Sequence, residues 1–158
     1  MPARLGLGRQ LRYDGCMRVL IVVVCLSIFG AGYARADGFP PSEATINRIA
    51  QRFRAILDVS GINGVGKDVL RCYNDNLNNS NLLKECVVYD AAALIVDRTM
   101  LEIFIGQGVD AKPAALFTER VFTARQNTYG RAAFQNDERS MKFVGPAAQR
   151  VVTKVLPR

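Results

Sequence analysis

Residues 82–105 read LLKECVVYDAAALIVDRTMLEIFI, and between Val87 and Val96 the only charged side chain is Asp90. A helix that is apolar nearly all round must be covered by neighbours on several sides. The stretch therefore predicts a long helix, roughly Leu82 to Ile105, at the core of an all-α domain. Gly106-Gln107-Gly108 predicts its end.

Upstream, thirteen residues separate Cys72 from Cys86, and five of them are asparagines: Asn74, Asn76, Asn78, Asn79 and Asn81. Asparagine clusters favour turns, so Tyr73 to Glu85 predicts a loop between two helices. Before it, Val65, Val69, Cys72, Tyr73 and Leu77 share one side of a helix from about Val65 to Leu77. Earlier still, Ser42 is placed to cap a helix whose apolar face is Ile46, Ile49, Phe53, Ile56 and Leu57 and which ends at Ser60-Gly61. Its Arg48, Gln51, Arg52 and Asp58 read mostly as the wet face.

Downstream, Lys112-Pro113 leads into an expected fourth helix with Phe117, Val121, Ala124 and Thr128 in register, stopped by Gly130. A polar segment, Gln135 to Ser140, precedes a last helix begun by Gly145-Pro146 and carrying Ala147, Val151 and Val155. No stretch alternates with period two for long enough to argue a sheet. The expectation is a single compact helical domain of about five helices around a buried third helix, with one disulfide.

The N-terminus reads as an address. Val19 to Phe29 is an uncharged apolar run of 11 residues, preceded by Arg18 and followed by Ala34-Arg35-Ala36. A basic flank, a short apolar run and an A-x-A site make a secretory signal, whereas a membrane-spanning helix needs about 20 apolar residues. Residues 1–36 are expected to be removed, with Met17 an alternative true start, leaving 37–158 as the exported domain without a transmembrane span. Export to the periplasm or the medium leaves Cys72 and Cys86 in an oxidising compartment with one available pairing.

Composition excludes much chemistry. The chain has no histidine and no tryptophan. Ser-His and Cys-His pairs, histidine-ligated metals and a histidine pH switch are thereby excluded. Gly61 to Lys67 matches G-x-x-x-x-G-K, but Asp68 stands where Ser or Thr would hold magnesium, so a glycine-rich turn is the reading. Asn74, Asn76, Asn78, Ser80 and Glu85 fall at calcium-loop positions with one formal negative charge among them, too few for a useful site. Asp90 and Asp97 share a helix face about 10.5 Å apart along the axis, too far for the usual paired-carboxylate geometries, and read instead as partners of arginines or water.

No catalytic group, metal site or cofactor is expected from these residues. The expected function is that of an exported, non-catalytic protein that binds a macromolecular or envelope partner. Two alternatives are a pocket for a small apolar ligand between the third and fourth helices, and an acid-base hydrolase using Asp90, Asp97 or Glu102. Residues 112–158 hold 9 basic and 3 acidic side chains. Arg120, Arg125, Arg150 and Lys154 are therefore the expected members of an anion-binding patch, facing an anionic surface rather than nucleic acid, which export leaves behind.

Overall fold

A computed structural model describes residues 39–135 and 137–156. The predicted signal and its cleavage site lie outside the described residues. Those described are mostly helical, with no strand among them: α1 (Glu43–Asp75), α2 (Ser80–Gly106), a 3-10 turn (Ala115–Phe117), α3 (Glu119–Arg125), a π-turn (Gln126–Gly130), α4 (Arg131–Phe134), α5 (Glu138–Met141) and α6 (Val144–Val155). The all-α class follows as expected from the helical periodicity.

Local chemistry sets the ends of α1 and α2. Ser42 caps α1, its Oγ accepting from the Thr45 backbone N–H at 3.2 Å. Gly61, at φ 61° and ψ −170°, breaks α1 into limbs 43–60 and 62–75, a conformation that costs glycine little and a Cβ-bearing residue much. The interhelical turn expected over 61–68 is therefore a single-residue kink. The second limb resumes at once, because buried Val65, Val69, Cys72 and Tyr73 reward helix more than Asn63, Gly64 and Gly66 resist it.

The asparagine segment is shorter than expected. Asn76 ends α1, donating its Nδ2 to the Cys72 carbonyl at 2.8 Å, and Asn79 caps α2, its Oδ1 accepting from Leu82 N–H at 3.1 Å. Only 76–79 lie outside helix, and Leu77, expected on the apolar face, is exposed. Cys72 and Cys86 stand at disulfide distance with Cα atoms 5.7 Å apart, within the range the bond requires.

The core is built from Ile46, Ile49 and Phe53 of the first limb, Val65 and Val69 of the second, Leu83, Cys86 to Tyr89, Ala92, Ala93 and Val96 of α2, and Ala147, Ala148, Val151, Val152 and Val155 of α6. α6 packs against both α1 and α2, and α2 also meets α4 and the π-turn. From Ile103 to Ile105, α2 runs past this core and is exposed. Gly66 admits the 115–117 turn against α1, since a Cβ there would lie 2.8 Å from a Leu116 methyl.

The expected fourth helix is the main departure. Thr118, with ψ 145°, interrupts it, and Gly130 does not end it, because its φ −63° and ψ −46° carry the chain on into α4. Its buried side is also not the expected one. Phe117 is buried as expected, but Val121, Ala124 and Thr128 are exposed, while Arg125, Ala133 and Phe134 are buried. An arginine takes the place that periodicity assigns to apolar side chains, and its partner explains why.

Candidate functional site

α1 and α2 exchange two tyrosine–aspartate hydrogen bonds. Tyr73 of α1 donates to Asp90 Oδ2 at 3.0 Å, and Tyr89 of α2 donates to Asp68 Oδ2 at 3.1 Å. Each carboxylate is closed from the other side by an arginine. Arg125 grips Asp90 through Nη2 to Oδ1 at 2.7 Å and Nε to Oδ2 at 3.1 Å, and Arg52 grips Asp68 through Nε at 2.6 Å and Nη2 at 3.0 Å. Such two-point pairs combine charge with fixed geometry.

The Asp90 cluster is the more buried. Asp90 is fully buried and the Arg125 side chain is 8% exposed. Gln126 Nε2 adds a third donor to Oδ2 at 3.1 Å, and Arg125 Nη1 reaches the Leu116 carbonyl at 2.6 Å, tying the 3-10 turn to the same group. Tyr129 stacks on Tyr73 with ring centroids 4.1 Å apart. The network joins α2 to the Arg125–Gln126 segment that follows it in the chain.

Neither phenol is poised to titrate near neutrality. Burial, then the adjacent Asp90 charge and hydrogen bond, pushes Tyr73 far up, and burial with the Asp68 charge does the same to Tyr89. Burial pushes the Asp68 carboxyl upward, but hydrogen bonds and charge from Arg52, with help from Tyr89 and Arg71, outweigh it and leave it below the ordinary range. These groups hold their protons or charges firmly, which suits a structural clasp and not proton transfer.

The sequence motifs dissolve into the same scaffold. Asp68, the misfit of the G-x-x-x-x-G-K pattern, is the Arg52 partner. Of the calcium-loop positions, Asn76 is a helix cap, Ser80 opens α2 and Glu85 sits within α2, 2.5 Å from Arg48 Nη2.

Asp90, Asp97 and Glu102 have three different surroundings: the first is locked to Arg125 and the third is exposed. Asp97 is buried, its Oδ1 accepting from Ala114 N–H at 3.1 Å, while Oδ2 has no hydrogen-bond partner. Burial raises its pKa, against the smaller opposing effects of that N–H and of Arg98. A carboxyl whose folded pKa is raised stabilises the fold fully below its unfolded pKa, and the contribution is lost as pH rises through the folded value. Asp97→Asn is therefore expected to gain stability over the wild type at pH 7 and to lose that advantage near pH 3, below the ordinary value of 3.8. Urea titrations at both pH values check this; an equal difference at both would show that Asp97 ionises as freely in the fold as out of it.

Arg125 must be removed from the expected anion-binding patch, since it is buried against Asp90 and unavailable to an external anion. The reason is the buried carboxylate 35 residues upstream, whose charge the Arg125 guanidinium balances. Arg150 and Lys154 both reach Glu43, Lys154 Nζ at 2.7 Å, and this one carboxylate offsets one of their two charges. Arg120 is exposed beside a shallow hollow with Glu119, Thr123 and Asn127.

A different concavity collects side chains from three parts of the chain. Arg48, Ile49 and Arg52 from the first limb of α1, Cys72 and Asn76 from its end, and Leu82, Glu85 and Tyr89 from α2 line a hollow of about 240 Å3. Sequence reasoning placed Arg48 and Arg52 mostly on the wet face and offered the arginines of this helix only as partners for Asp90 or Asp97, whereas they pair with Glu85 and Asp68. Their spacing puts them one turn apart, but their carboxylate partners lie 37 and 16 residues away, so no local signal connects the set.

Comparison of the chain with family models, curated proteins and solved structures gives no match.

Proposed function

We propose that this is an exported helical protein that works by binding a macromolecular partner in the envelope or medium, without catalysing a reaction. One observation carries the reading: Ile103, Phe104 and Ile105 at the far end of α2, and Val109 just beyond it, are 52%, 41%, 56% and 50% exposed. Large apolar side chains grouped at one end of a helix favour a partner surface over water. The commitment of Asp68 and Asp90 to arginine and tyrosine supports the non-catalytic part. Export is supported by the signal-like residues 19–36 and by the Cys72–Cys86 pair, which persists best in an oxidising compartment. No helix among the described residues is long and apolar enough to cross a membrane.

The test places a photo-cross-linking residue at position 104 and, separately, at exposed position 54, in cells that make the protein naturally. Adducts of one defined mass at 104 and none at 54 are expected. Exported protein that forms no adduct at 104 overturns the binding role of this end. Intact mass of the same material should begin at Asp37; a chain beginning near Val19 would show that the A-x-A site is not used.

A further inference from the structure

We propose that the hollow between the first limb of α1 and the start of α2 is a binding site for a small monocarboxylate with a short apolar body, held by Arg48 and Arg52. At about 240 Å3 it is smaller than the ~300–1,000 Å3 of sites for drug-sized ligands, so its occupant is small.

The donors come first. Arg52 gives Nε and Nη2 to Asp68, and Arg48 gives Nη2 to Glu85. Among the described residues, Nη1 of both arginines and Nε of Arg48 make no hydrogen bond, so two guanidiniums lining one hollow retain donors for a planar acceptor. Arg52 is held in place on two sides, by Asp68 and by the Tyr89 ring, whose centroid is 5.5 Å from its Cζ. Such an arginine is oriented before any ligand arrives, which lowers the entropy cost of binding.

Charge then selects the ligand. The two guanidiniums are already paired with Asp68 and Glu85, so an incoming monocarboxylate must take Arg48 from Glu85, and a dianion such as phosphate would face the same two carboxylates with twice the excess charge. The Arg48–Glu85 pair is itself a guanidinium–carboxylate contact at 2.5 Å, and the Arg48 side chain is 61% exposed, which leaves it able to re-aim toward an incoming carboxylate. Ile49, Leu82 and Tyr89 supply apolar surface for the ligand's body, and Asn76 adds a polar edge.

The experiment titrates the purified, oxidised protein with benzoate and with its neutral isostere benzamide, each to about 10 mM, following backbone amide NMR shifts. Benzoate is expected to shift Leu82, Glu85 and Tyr89 and to bind at least about fivefold more tightly than benzamide, as a charge-assisted contact requires. Arg48→Gln, a surface change that leaves the fold intact, should weaken benzoate at least about fivefold, whereas Glu85→Gln, which frees Arg48, should tighten it. Equal affinity for the two probes, unchanged benzoate binding in Arg48→Gln, or weaker binding in Glu85→Gln each overturns the proposal. Because the hollow is lined by none of residues 103–109, failure here leaves the cross-linking result at position 104 standing, and the reverse also holds.

Discussion

Arg125→Met is expected to destabilise the protein by about 3–5 kcal/mol. Asp90 lies fully buried, and the substitution removes its bidentate cation while leaving the carboxylate in place. Tyr73 and Gln126 would still donate to Oδ2, but two neutral donors do not offset the charge. The loss extends beyond the pair, because Arg125 Nη1 also anchors the Leu116 carbonyl and its guanidinium lies over the Phe117 ring. Against a total stability of about 5–15 kcal/mol, such a change populates the unfolded chain. Urea unfolding with far-UV circular dichroism reads the shift in midpoint, and Arg120→Met on the same helix should move it by less than about 0.5 kcal/mol. Adding Asp90→Leu to Arg125→Met should recover part of the loss, since the double variant buries no unpaired charge. A cost below about 1 kcal/mol for Arg125→Met would show that the pair is solvated in solution.

Removing the Cys72–Cys86 bond should cost about 2–5 kcal/mol. The two cysteines are 14 apart in sequence, and closing a loop of about that size is worth roughly 3 kcal/mol in the chain-entropy account. The bond joins the last turn of α1 to the first turns of α2 and borders the Arg48/Arg52 hollow. Both cysteines are buried, so Cys86→Ala combined with Cys72→Ser avoids leaving a lone thiol inside. The double variant and the reduced wild type should lose similar stability, and reductant should have no effect on the double variant. Exported protein with free thiols at these positions before reduction would end this expectation.

Features whose cause lies within one or two helical turns were legible in the sequence. Ser42 caps a helix because its hydroxyl reaches a backbone N–H three residues on, and Gly61 breaks one because only glycine takes that φ cheaply. Helical periodicity located α2 within two residues of its observed ends and identified Ala147, Val151 and Val155 as the inward face of α6. The cysteine pairing followed from there being two candidates if the expected signal, residues 1–36, is set aside.

What the tertiary structure alone decided is which charged side chains leave water. Periodicity assigns inward positions by hydropathy, so it chose Val121, Ala124 and Thr128 and passed over Arg125. A buried arginine is stable only where a buried carboxylate meets it, and Asp90 is 35 residues away on another helix. A separation of 16 residues hid Arg52 and Asp68 in the same way, and with them the hollow that Arg48, Arg52 and Glu85 border. Apolar burial is a property of one residue and repeats along a helix, whereas charge burial is a property of a pair, fixed only when packing brings both members together.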